Sequence, residues 1–135
     1  MIEKVVKCWI YLAQYDFENA KIMYENKKYL YTVFNCQQVI EKVLNAVYVK
    51  EKGYTPPFPH NLIKLARGVS LKDKINKSRL FFIEELYRME NLNTYYSEDT
   101  YKKEIDEISK IITRDKAKEF IFKTEDLYNI LKNML

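Results

Sequence analysis

The chain has 135 residues, of which 47% are hydrophobic and 31% are charged, and its formal net charge is +4. This balance excludes a disordered chain and is typical of a globular protein long enough for one core, so we expect a single domain over residues 1–135. No apolar run approaches the roughly 18 residues that a membrane span needs, and the first residues lack a signal-peptide core, so we expect a cytoplasmic protein with no membrane partner.

Metal and redox chemistry have little support in the sequence. There are two cysteines and one histidine, with no CxxC pair, so we expect neither a metal site nor a cofactor. If Cys8 and Cys36 lie on consecutive antiparallel helices, they are offset from each other by roughly 15 Å along the helix axes. That distance is too long for a disulfide, and we expect two buried thiols.

The first two helices are predicted from apolar residues that recur at three- and four-residue steps. They cover residues 2–25 and 29–52, and the short link between them implies an antiparallel hairpin. In that hairpin Asp16 faces Gln38. The inward stripe of the first helix is predicted to contain Val5, Val6, Trp9, Leu12, Ala13, Phe17, Ala20, Met23 and Tyr24.

A polar stripe runs beside the apolar stripe of the second helix. It consists of Gln37, Gln38, Glu41 and Asn45, and Lys42 lies further round. Two interpretations are open: these groups satisfy Asp16 and one another in a seam between helices, or they bind the base or ribose of a nucleotide. Lys42 is either a solvated lysine or a phosphate contact.

The middle of the chain is punctuated by glycine and proline. Gly53 is predicted to end the second helix in the left-handed conformation, and the proline-rich residues 54–59 form an extended loop. A short helix follows over residues 60–67 and stops at Gly68. A further helix over residues 73–95 is apolar on several sides, which favours an additional neighbour such as a second subunit.

The C-terminal third contains two amphipathic pieces. Tyr101, Ile105, Ile108 and Ile112 share one face, and a separate stripe begins at Ala117. Their phases do not join, so we predict a break with Thr113 as the N-cap of the last helix. With no strand pattern anywhere, the predicted fold is all-α, an up-and-down four-helix bundle with one or two additional short helices.

Three stretches of the sequence together resemble the HEPN domain (higher eukaryotes and prokaryotes nucleotide-binding). They are Trp9-x3-Ala13-x2-Asp16-x3-Ala20, Phe34-x2-Gln37-Gln38-x2-Glu41-Lys42-x2-Asn45-Ala46 and Pro59-His60-Asn61-Leu62-x2-Leu65. The resemblance implies a helical bundle that commonly dimerises. It also implies gene neighbourhoods with a minimal nucleotidyltransferase, in prokaryotic toxin–antitoxin or stress systems.

Many members of this family are metal-independent RNases, and the resemblance implies where their motif would fall. It is an Arg followed four to six residues later by His, near the end of the helix that corresponds to the predicted helix over residues 73–95. Arg88 matches the arginine, but Asn93, Thr94 and Tyr95 follow where the histidine is expected. A related subgroup carries Arg-Tyr-Pro in this region, and the segment around Tyr101 lacks that arginine as well.

His60 is the only imidazole, so any histidine-based acid–base role falls to it. It either ties the loop to the bundle by hydrogen bonds or recognises a nucleotide or partner. Tyr95 and Tyr96 either pack at the end of the bundle or stack on bases. The candidate nucleotide- or partner-binding residues are Gln38, Glu41, Lys42, His60, Asn61, Arg88, Tyr95 and Tyr96.

Two functions follow from these patterns. The first is a noncatalytic binding module: a homodimer that recognises a nucleotide, RNA or a nucleotidyltransferase. The second is an RNase that uses Arg88 with a non-standard partner such as His60. Convergence of Arg88 and His60 in one cleft favours the enzyme.

Overall fold

The structure is a computed structural model that describes residues 1–91 and 106–135. Within these residues it contains helices and no strand. The helices are α1 (Ile2–Glu25), α2 (Tyr29–Lys52), α3 (Leu62–Gly68), α4 (Lys77–Asn91), α5 (residues 106–111) and α6 (Arg114–Lys132). A single 3-10 turn, Leu71–Asp73, lies between α3 and α4.

Contacts at the two ends of the bundle fix the helix directions. α1 and α2 form the predicted antiparallel hairpin. At one end, Arg114 at the start of α6 donates to the hydroxyl of Tyr24 near the end of α1. At the other end, Leu135 packs against Val6 and Val49. α6 therefore runs antiparallel to α1 and parallel to α2.

α4 completes the up-and-down arrangement. Near its start, Arg79 pairs with Asp126 late in α6. One turn further on, the rings of Phe82 and Phe120 meet edge to face with centroids 5.2 Å apart. Because residues early in α4 meet residues late in α6, these two helices are antiparallel, and the fold is the predicted four-helix bundle with two short helices.

α2 is the central helix of this bundle. It contacts α1, α3, α4 and α6, and nearly every residue from Thr32 to Val49 is buried or half-buried. Ala13 and Ala20 are fully buried on the facing side of α1, where their small side chains allow close approach of the two helices. A helix surrounded in this way buries its polar residues as well as its apolar ones, which determines where the candidate site forms.

Side-chain caps define three of the helix starts. Thr113 accepts from the backbone N–H of Lys116 at 3.3 Å, as predicted. Asn61 caps α3 in the same way at 3.0 Å, and Asn76 accepts from the backbone N–H of Arg79 at 2.9 Å. The predicted starts of these last two helices, at residues 60 and 73, were therefore a few residues early.

The two glycines shape the ends of α2 and α3. Gly53 ends α2 with φ of +82°, the predicted left-handed conformation. Position 68 requires glycine for a different reason: a Cβ there would lie 2.6 Å from a ring carbon of Tyr48. The close packing of α3 against α2 therefore depends on Gly68.

The outward surface of α1 differs from the prediction. Val5 and Leu12 were assigned to its inward stripe, yet they are 39% and 38% exposed. The prediction of two buried thiols was wrong for Cys8, which is exposed, and correct for Cys36. Burial raises the pKa of the Cys36 thiol to about 12.

Some predictions fall partly or wholly outside the described residues. The predicted end, at Tyr95, of the helix over residues 73–95 lies there, as do Tyr101 and Ile105. Ile108 and Ile112 are buried in the core as predicted. No helix in the described ranges has the length and hydropathy to cross a membrane.

Candidate functional site

The proline-rich loop is attached to α2 through one buried amide. The Nδ2 of Asn45 donates to the carbonyl of Pro59 at 2.8 Å and to the carbonyl of Glu41, one turn earlier, at 2.9 Å. These contacts hold the loop against the middle of the central helix. The residue that follows Pro59 is therefore held in a fixed position next to Glu41.

That residue is His60, and its ring is paired with a buried carboxylate. The Nδ1 of His60 lies 2.7 Å from Oε1 of Glu41. The Glu41 side chain is 6% exposed, whereas the His60 side chain is 81% exposed. Because a carboxylate only accepts, Nδ1 carries a proton in this contact, and the other ring nitrogen is left facing outward from the carboxylate.

Two acceptor oxygens beneath this ring have no hydrogen-bond partner among the described residues. They are Oε2 of Glu41 and Oδ1 of Asn45, and both are buried. An unsatisfied buried acceptor costs about 1–3 kcal/mol. The site therefore has spare capacity for a donor that comes from outside the described protein.

Asp16 and Lys42 form a second polar contact, between α1 and α2. The predicted partner of Asp16 was Gln38, one turn earlier on α2. Helical side chains point toward the N-terminus of their own helix, so Lys42 reaches back to the level of Gln38 and takes its place. Lys42 is therefore not a freely solvated lysine. Its side chain is 19% exposed and is paired with Asp16 at the edge of the helix–helix contact.

Asn61 links the site to α4. Its Oδ1 caps α3, and its Nδ2 lies 3.5 Å from the hydroxyl of Tyr87. Arg88, the next residue, is exposed, and its guanidinium carbon lies 5.6 Å from the centroid of the Phe81 ring. The neighbours of His60 and Arg88 touch, but the described contacts include none between these two side chains.

The structure thus brings together four of the predicted site residues or their neighbours: Glu41, Asn45, His60 and Asn61. Gln38 is half-buried and takes no part in this hydrogen-bond network. Tyr95 and Tyr96 lie outside the described residues. Of the polar stripe of α2, Gln37, Glu41 and Asn45 are buried, and Glu41 and Asn45 contact the end of the proline-rich loop. The described partner of Asp16 is Lys42.

Sequence reasoning missed two partners in this site. The Pro59 carbonyl is a backbone atom, which no residue pattern reveals. The Tyr87 hydroxyl was assigned only to an apolar stripe of α4, although a half-buried tyrosine usually needs a partner for its hydroxyl.

The helical bundle that holds this site matches a known protein family. The chain matches the HEPN domain over residues 6–134. It belongs to the HEPN family. No curated protein and no solved structure gives a match.

Membership makes the chain a nucleotide- or RNA-related HEPN module. The site described here lies at the Pro59-His60-Asn61 motif and at the Glu41 motif, so two separate stretches of the HEPN pattern meet in space. Asn45 holds the loop through the Pro59 carbonyl and Glu41 holds the ring of His60. His60 is the member of this group that is exposed to solvent.

Proposed function

We propose that this HEPN protein is a noncatalytic module that recognises a nucleotide or RNA at the surface around His60. It acts as a homodimer in the cytoplasm, with a separately encoded minimal nucleotidyltransferase in a system of the toxin–antitoxin or stress type. Family membership supports the nucleotide-related part of the proposal. The absence of a histidine after Arg88 at the motif spacing supports the noncatalytic part.

The observation that carries the proposal is the contact between Glu41 and His60. A buried carboxylate fixes one nitrogen of a ring that is otherwise exposed. A ring held in one orientation loses little conformational entropy when it stacks on a base or accepts a hydrogen bond. A histidine that served only to tie the loop would gain nothing from such exposure, since Asn45 already holds Pro59.

The charge of the chain suits a phosphate-bearing ligand. Its formal net charge is +4, which attracts anions at long range. This attraction alone is not selective, so the local contacts at His60 would provide the recognition.

The direct test is calorimetric titration with AMP, ATP and a short single-stranded RNA. We expect at least one of these to bind, and His60→Ala to weaken that binding by about tenfold, since loss of one stacking or hydrogen-bonding ring costs about 1–3 kcal/mol. The matched control is Phe122→Ala, which removes an exposed ring from α6 and should leave the affinity unchanged. Equal affinities for wild type and His60→Ala would contradict the proposal.

A second candidate function is a metal-independent RNase that uses Arg88 with His60. This candidate is favoured by the contact of Asn61 with Tyr87. Asn61 follows His60 in the sequence and Tyr87 precedes Arg88, so the two short stretches lie near each other. An imidazole held by a carboxylate is also a common arrangement for a general base. Cleavage of mixed RNA in the presence of a chelator, lost in Arg88→Ala, would replace the binding module with this enzyme.

A further inference from the structure

α1 carries an apolar stripe on its solvent side. The residues recur at alternating three- and four-residue steps, and we call them the α1 stripe: Val5, Cys8, Leu12, Tyr15, Asn19 and Ile22. Tyr15 is 56% exposed and Ile22 is 49% exposed, and Cys8 is exposed as well. Five of the six side chains are apolar or weakly polar, so this face is poorly suited to water.

The α1 stripe is separate from the face that α1 uses inside the bundle. Val6, Ala13 and Ala20 are the buried residues of the helix, and each follows or precedes a stripe residue by one position. A bundle helix normally has one apolar face. The spacing of the second face is the heptad spacing of a helix–helix seam.

We infer that the α1 stripe is the homodimer interface, and that α1 packs against α1 of a second copy in the antiparallel sense. With the two-fold axis between Leu12 and Tyr15, Leu12 meets Tyr15 of the second copy and Val5 meets its Ile22. Cys8 then meets Asn19. The helix has 24 residues, or about 36 Å of length, enough for all six layers.

The flanking charges select the antiparallel arrangement. Lys4 and Glu25 lie beside the two ends of the α1 stripe, and neither has an ion-pair partner among the described residues. An antiparallel pair places Lys4 beside Glu25 of the second copy, twice by symmetry. A parallel pair would place Lys4 opposite Trp9 of the second copy and would leave both charges without an opposite charge across the seam. Such exposed pairs add little affinity, but they choose between orientations.

The apolar sides of α4, which suggested a dimer from sequence, are mostly used within the bundle. Phe82, Ile83 and Leu86 are buried, and Phe81 is exposed. Several exposed large apolar side chains of the described residues instead lie together on α1. This inference rests on the proposed function only in taking the protein as a homodimer.

Sedimentation tests the interface. We expect the wild type to be a dimer at micromolar concentration, and Leu12→Glu and Tyr15→Glu to weaken association by at least about tenfold, because each would bury a charge in the seam. Circular dichroism checks that both variants remain folded. Phe122→Glu alters an exposed apolar residue on α6 and should not change association. A wild-type monomer, or stripe variants that dimerise as tightly as wild type, would overturn the inference.

Crosslinking tests the orientation, because Cys8 is already in place. Under mild oxidation Asn19→Cys should give a covalent dimer with two Cys8-to-position-19 disulfides, since these positions meet across the axis. Wild type should give none, because the two Cys8 residues are separated by about 16 Å along the seam. A Cys8–Cys8 disulfide in wild type would contradict the antiparallel arrangement. Calorimetry with the Leu12→Glu protein measures nucleotide binding separately, so a failure of the interface can be told apart from a failure of nucleotide recognition at His60.

Discussion

At the scale of single residues, Asn45 does more than fill the core. It is fully buried, and its amide joins the backbone of α2 to the carbonyl of Pro59. Tyr48 of α2 also packs against Phe58, but the Asn45 contact is the one that fixes the backbone of the loop directly before His60. The geometry of His60 therefore depends on a residue that never reaches the surface.

We predict that Asn45→Ala destabilises the protein by about 1–3 kcal/mol, because the Pro59 carbonyl would be left without its donor. It should also weaken nucleotide binding, since His60 would no longer be held above Glu41. Urea unfolding measures the first effect, and limited proteolysis within residues 54–59 reports release of the loop.

The control for that experiment is Thr124→Ala, which removes another fully buried polar side chain, from α6. Its hydroxyl faces the Cys36 thiol in the core and not the proline-rich loop. It should leave the loop as resistant to protease as in wild type. Equal protease sensitivity of Asn45→Ala and wild type would show that Asn45 does not anchor the loop.

Residue identities in the site were more predictable than their pairing. Helical spacing was enough to place Glu41 and Asn45 on one buried stripe, and His60 followed from its place after the prolines. The pairing of Glu41 with His60 was not predicted, because it depends on the path of the loop. That path is fixed by a backbone carbonyl, which carries no sequence signal.

At the scale of elements, α4 is joined to α6 by a two-pronged ion pair. Nε and Nη2 of Arg79 donate to the two carboxylate oxygens of Asp126 at 2.8 and 3.1 Å. The Arg79 guanidinium lowers the pKa of the Asp126 carboxyl below its ordinary value. The ion pair therefore stabilises the fold above pH about 4, the ordinary pKa of aspartate, and this contribution is lost as the pH falls through the lowered pKa.

We predict that Asp126→Asn lowers the Tm by about 1–3 °C at pH 7, because an exposed ion pair contributes modestly. The difference from wild type should disappear near pH 2, where the wild-type carboxyl is protonated as well. Differential scanning fluorimetry across this range measures both. Glu125→Gln, at the adjacent exposed position, should match wild type throughout. A difference that stays the same from neutral pH down to the most acidic pH at which both proteins remain folded would show that the effect of Asp126 is not electrostatic.

Helix boundaries were predicted where the sequence carries an unambiguous stop. The short link after Glu25 and the left-handed Gly53 gave both ends of the first hairpin correctly. The starts of α3 and α4 were misplaced because Asn61 and Asn76 act as caps, and the prediction did not use either asparagine. The preference of asparagine for N-caps was the signal available in the sequence.

At the scale of the whole molecule, the bundle is organised around α2, which touches four other helices. Its burial on nearly all sides explains why Glu41 and Asn45 end up inside the protein while remaining next to a surface loop. The all-α architecture was predictable because helical periodicity persists along the chain. The exposed side of α1 was not, because Val5 and Leu12 fit an inward stripe equally well by spacing.

The central claim is that His60, oriented by Glu41, contacts a nucleotide on this HEPN scaffold. Because the chain has one histidine, the Cε1–H resonance of the imidazole can be followed by NMR without assignment. We predict that it shifts progressively and saturably as the ligand identified by calorimetry is added, and that in Glu41→Gln the shift needs a higher ligand concentration. A His60 resonance that stays in place while the ligand saturates the protein would contradict the account.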